Sequence, residues 1–206
     1  MHVILGYLVP FYIISVHMAT PRVLILGHSF IRRLGEFVDH RSHLDRSFML
    51  SGAAIFRWQG KGGRTLATIQ DDLPVVKSFA PHIVILQLGT NDLSRLDPLL
   101  VGSAIEDLVR TLHDSYSVRL VCVCQTLYRD ADSAFNVRVR ALTKYLKVFL
   151  EPLPYSFLWG HRGFWRSTQR FHARDGVHLN NRGQFKLYRS LRGAVLKSLH
   201  LLARAN

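Results

Sequence analysis

From Arg22 onward, short unbroken apolar runs alternate with segments whose apolar positions recur every three or four residues. Residues 23–26 and 83–88 are continuous and rich in branched side chains, the pattern of strands covered on both faces. Residues 48–50, ending at Gly52, together with 118–123 and 155–159, predict three more strands. Segments 30–38, 65–76, 99–112, 134–149 and 181–203 have helical spacing. In the last of these, Leu187, Leu191, Val195, Leu199 and Leu202 share one side, which predicts packing on a sheet. Arg182, Lys186, Arg189, Lys197 and Arg204 share the other, as a solvated basic stripe would. Strand and helix in strict alternation predict an α/β fold with a parallel sheet. No repeat, low-complexity stretch or linker interrupts residues 21–206, so one domain is expected there.

Four blocks of chemistry lie where such a sheet places its sites, after strands or in loops. Leu26-Gly27-His28-Ser29-Phe30 is a strand-to-helix turn that would present the Ser29 hydroxyl and N–H above a helix N-terminus. Alone, Ser29 reads as a helix cap, a position serine favours. Gly60-Lys61-Gly62-Gly63 would let backbone approach a ligand, or be a plain turn, and it completes no nucleotide-binding loop. Gly89-Thr90-Asn91-Asp92 offers an amide to a developing oxyanion and an aspartate to brace the loop, although it is also common turn chemistry. In Asp175-Gly176-Val177-His178 the aspartate can hold one ring nitrogen while the other faces a serine.

Together, in this order, the blocks resemble blocks I, II, III and V of the SGNH (GDSL-like) hydrolases, over essentially the whole chain from Arg22 to Leu202. The resemblance implies a flavodoxin-like three-layer α/β/α sandwich with a five-stranded parallel sheet. It implies Ser29 as nucleophile, His178 as general base and then acid, and Asp175 orienting His178. It also implies an oxyanion hole from the N–H groups of Ser29 and Gly63 and the side chain of Asn91, with Asp92 in support and no metal or organic cofactor. Gly63 is preferred to Gly62 because Arg64-Thr65 follows it. One departure is that the family usually has Gly-Asp-Ser where this chain has Gly-His28-Ser, which changes the charge beside the nucleophile. The expected activity is hydrolysis of small carboxylic esters, including lipid or glycan esters. No G-x-S-x-G elbow of the other common serine-hydrolase fold occurs.

Composition changes this picture in one respect. Hydrophobic residues at 48% and charged residues at 20% exclude a disordered or fibrous chain, but the formal charge is +13. Such an excess draws polyanions, so a second reading is a catalytically weak binding module for nucleic acid or anionic membrane. Residues 159–174 interleave arginines with aromatics, and Trp165, Arg166 and Arg170 are candidates for a substrate-pocket wall. The plainer reading is a loop whose aromatics seal the core edge while its arginines are solvated. Cys122 and Cys124 should share one strand face as small buried residues, with poor geometry for a disulfide. Sparse cysteine leans toward an intracellular, reducing compartment rather than a secreted one. Residues 1–20 carry an apolar run too short for an ordinary membrane span and without a basic leader, signal-like or a gene-model extension upstream of Met18.

Overall fold

Five strands pair side by side, all parallel, in a computed structural model that describes residues 19–164 and 171–205. They are β1 (Arg22–Gly27), β2 (Ile55–Gly60), β3 (Ile83–Gln87), β4 (Leu120–Cys124) and β5 (Ser156–Trp159), in the order β2-β1-β3-β4-β5. Every side chain of β3 and β4 is buried, as their unbroken apolar runs require. Helices α1 (Ser29–Asp39) and α6 (Asn181–Arg204) cover one face, packing on Ile25, Ile85 and Cys122. Helices α4 (Pro98–Asp114) and α5 (Ser133–Leu150) cover the other, packing on Leu24, Leu86 and Val123. The result is the expected flavodoxin-like three-layer α/β/α sandwich. The apolar row of α6 is inward as anticipated, with Leu187, Leu191 and Val195 fully buried. Cys122 and Cys124 are free, buried and in the same core layer.

The second strand is not where the apolar pattern put it. Phe48 and Met49 have φ of 57° and 58°, a left-handed turn rather than a strand. The Asp45 carboxylate holds that turn, accepting from the Ser47 and Met49 N–H groups at 2.8 and 3.0 Å. Phe48 is apolar because the turn drives it into the core, stacked on Trp58 at 5.0 Å and tilted against Tyr188 at 5.1 Å. The true strand, β2, is an edge strand with Ile55 and Arg57 exposed, so alternate polar residues disguise it.

The helix expected over 65–76 is also shorter and later. A 3₁₀ turn (Ile69–Asp72) leads into α2 (Leu73–Phe79), and a short α3 (Thr90–Leu93) follows β3. Pro74 lacks an N–H and is tolerated only in a first turn, which sets the start of α2. Residues 1–18 of the predicted apolar extension 1–20, with Trp165, Arg166 and Arg170, lie outside the described residues. Among the described residues no helix is long and apolar enough to cross a membrane.

Candidate active site

In this strand order the chain reverses direction across the sheet between β1 and β3, which opens a crevice at their carboxyl ends. The turn after β1 enters it first. Gly27 is required there, because an added Cβ would lie 2.6 Å from the Gln87 carbonyl oxygen of the neighbouring strand. His28, rather than Ser29, is the N-cap of α1: its Nδ1 accepts from the Phe30 N–H at 3.4 Å. Ser29 therefore occupies the first helical position, half-buried, with its N–H among those that have no intrahelical acceptor.

The loop that precedes α6 delivers His178 to the same place. Its ring lies edge-on to Phe30 at 6.3 Å, and its charge is felt by His28, so its contacts bracket Ser29 in the chain. The Asp175 carboxylate accepts from His178 Nδ1 at 2.6 Å and from the N–H groups of His178 and Val177 at 2.8 and 3.0 Å. Partial burial raises the Asp175 pKa, but these hydrogen bonds outweigh it and hold the carboxyl at about 2. The ring's Nδ1–H is thereby committed to Asp175, which leaves Nε2 as the basic nitrogen of the neutral imidazole.

The glycine and asparagine loops are joined to each other. Gly63 has φ of +70°, a conformation that favours glycine, whereas Gly62 does not. Asn91 donates its amide to the Arg64 carbonyl oxygen at 2.7 Å, and the Asp92 carboxylate accepts from the Leu66 N–H at 2.9 Å. Burial raises the pKa of Asp92, and the Leu66 bond acts against it. The structure thus gathers Ser29, His28, His178, Asp175, Gly63, Asn91 and Asp92 at the carboxyl edge of the sheet or in loops tied to it.

Residues 26–184 match the GDSL-like Lipase/Acylhydrolase family, well over half of the chain. The chain belongs to that family. No curated protein shows significant sequence similarity to this GDSL-like chain. Among solved structures it is similar to an acetyl esterase mutant with acetate ion, at TM-score 0.68 and 16% identity, covering 87% of this chain and 98% of that one. A carbohydrate esterase family 3 protein from Talaromyces cellulolyticus gives the same TM-score of 0.68, 16% identity and coverage of 87% and 98%. A GDSL-like lipase from Bacteroides thetaiotaomicron gives 0.62 at 16% identity, covering 88% and 93%. At these identities the likeness establishes the shared fold.

Several residues that hold this GDSL-like site together were not singled out from the sequence. Arg64 is buried with its Nη2 2.5 Å from Asp72, while its Nη1 donates to the Gly27 carbonyl at 2.9 Å. One guanidinium so ties the glycine loop to the turn before Ser29. Gln87 accepts at Oε1 from the His161 ring at 2.7 Å, and the other His161 nitrogen meets Ser190 at 2.8 Å. His172 reaches the Tyr128 carbonyl at 2.9 Å, and the Asp130 N–H donates to the Gly176 carbonyl at 2.8 Å, which clamps the Asp175–His178 loop. The one signal was Gln87, a polar residue inside the most apolar strand. In the loop before that pair, Phe164 is buried and packs on Phe171 at 5.5 Å, the core-sealing role expected of its aromatics.

Burial of His28 makes stability depend on pH. Burial first, then the charges of His178 and Arg64, lower its pKa from 6.5 to about 3. Between those values the unfolded chain binds a proton that the folded chain does not, so stability falls as pH drops from 6.5 toward 3 and is unaffected above. The expected slope is about 1.4 kcal/mol per pH unit. Asp175 adds in the same direction, but only below its ordinary 3.8. In urea denaturation across this range, His28→Asn should flatten the dependence while keeping the cap; an unchanged slope would contradict the assignment.

Proposed function

We propose that this chain is a serine esterase that hydrolyses small carboxylic esters through an acyl-enzyme. The observation that carries the reading is the short Asp175–His178 contact of 2.6 Å beside the N-terminus that bears Ser29. His178 Nε2 takes the Ser29 proton as Oγ attacks the ester carbonyl carbon. The oxyanion is held by the N–H groups of Ser29 and Gly63 and by the second amide hydrogen of Asn91, its first being bonded to Arg64. Collapse breaks the ester C–O bond and His178 gives its proton to the departing alcohol. Water, deprotonated by the same nitrogen, then attacks the acyl-serine, releases the carboxylic acid and restores Ser29. Asp175, ionised throughout, stabilises the imidazolium without taking the proton.

His28 is neutral at working pH and is one side of the turn rather than a base: its Nδ1 is occupied as the helix cap and its ring is buried. Preference for short acyl groups is supported by the likeness to an acetyl esterase, which matches over nearly its whole length. A fluorophosphonate probe tests the chemistry directly. It should label the wild type stoichiometrically at Ser29, located by peptide mass spectrometry, with concurrent loss of 4-nitrophenyl acetate turnover. Absence of both labelling and turnover would refute the proposal.

A further inference from the structure

A groove of about 990 Å³ runs beside α6, outside the proposed catalytic centre. Its walls are Trp159, Phe171 and Phe185, and its cations are Arg162, Arg182, Lys186 and Arg189. Arg182, Phe185, Lys186 and Arg189 stand at i, i+3, i+4 and i+7, one face of the helix over about 10 Å. Lys186 lies over the rings of Phe164 and Phe171 at 5.7 and 4.7 Å. Among the described residues Arg162, Arg182 and Arg189 have no carboxylate partner and no side-chain hydrogen bond. Phe185 is 40% exposed.

Most of the chain's net positive charge falls in the stretch of sequence that supplies this groove. From Pro152 to Asn206 there are ten lysines and arginines, and Asp175 is the only acidic side chain. Asp175 is already engaged by His178. Unpaired cations at close spacing repel one another, and a helix face that needed only solubility would mix in carboxylates, as the Arg110–Glu106 pair of α4 does. A polyanion relieves that repulsion. The groove is concave, with aromatic rings in its walls, whereas a membrane-docking face would project its apolar groups outward.

We propose that this groove binds single-stranded nucleic acid, with phosphates on Arg162, Arg182 and Arg189 and a base stacked on Phe185. Stacking and backbone charge together bind strands with little regard to sequence. The surface is separate from the Ser29 centre, so the two readings stand or fall independently.

Fluorescence anisotropy of the full chain with a labelled oligouridylate of about 16 nucleotides tests it. Binding should weaken steeply with salt. Arg182→Gln with Arg189→Gln should weaken it at least tenfold and reduce the slope of log K against log salt by about 1.4, at roughly 0.7 per lost phosphate contact. Phe185→Ala should cost about tenfold with the slope unchanged. Arg140→Gln with Lys144→Gln removes the same charge from an exposed face of α5 and should cost less than twofold. All five positions are exposed side chains, and circular dichroism checks each fold; should the α6 double variant not fold, the single Arg189→Gln, at threefold or more, replaces it. The proposal is overturned by no binding at low salt, or by equal losses on α5 and α6. It is equally overturned if Phe185→Ala binds normally, if heparin or duplex binds as tightly as the single strand, or if only phosphatidylserine vesicles are bound. Ester turnover, followed in parallel, is expected to be unchanged in every variant.

Discussion

Ser29→Ala is expected to lower kcat for a short acyl ester by about 10⁶-fold, the order lost when a serine hydrolase is deprived of its nucleophile. A residual rate of about 10³-fold over water would remain from the oxyanion donors. The substitution also separates two roles that the sequence alone leaves open. A serine that merely caps a helix costs about 1 kcal/mol when replaced by alanine. Here His28 is the cap, and the Ser29 hydroxyl has no hydrogen-bond partner among the described residues. Stability in urea should therefore change by less than about 0.5 kcal/mol. Loss of turnover with stability retained is the signature of a nucleophile, and the reverse pattern would identify a cap. Adding His178→Ala to Ser29→Ala should lower the rate no further, because the two act as one unit.

Arg64 offers the second large effect. Its side chain and that of Asp72 are 1% and 3% exposed, so neither charge can be rescued by water once its partner is removed. Arg64→Met or Asp72→Leu alone should destabilise the fold by about 3–5 kcal/mol. The double substitution should recover most of that loss, since an apolar pair of similar volume avoids the desolvation cost. Turnover should not recover with it. The guanidinium also holds the Gly27 and Gln59 carbonyls, at 2.9 and 3.2 Å, and no methionine replaces those bonds. A stable double variant with a reduced kcat and an intact fold would place Arg64 as a positioning residue for the Gly63 loop. Wild-type stability in the single Arg64→Met variant would instead refute the buried pair as a support.

The elements read correctly from the sequence are those whose surroundings impose a simple period. Strands β1 and β3 are buried on both faces, so residues 23–26 and 83–86 are unbroken apolar runs; α4, α5 and α6 bury one stripe, so their apolar residues recur at helical spacing. The pattern misled at Phe48, where one buried aromatic serves a turn, and at β2, whose edge position admits Arg57 and Gln59. The four chemical blocks were legible for a different reason: each is short and local, and their order alone suggested a family. Their supports were not. Arg64 looks like a solvent residue after a glycine, and nothing in the linear order pairs it with Asp72.

By itself, the sequence determined the α/β class and the positions of four of the five strands, because these depend on local period, and it offered the short blocks proposed to carry ester chemistry. The tertiary structure alone decided that His28 caps the helix and Ser29 does not, since this turns on one backbone angle and one ring orientation. It decided also that Arg64 and Asp72 pair in the interior and that the excess cations of α6 line an aromatic groove. These facts depend on crossovers that carry residues far apart in the chain to one edge of the sheet, and on which charges are then left without a partner.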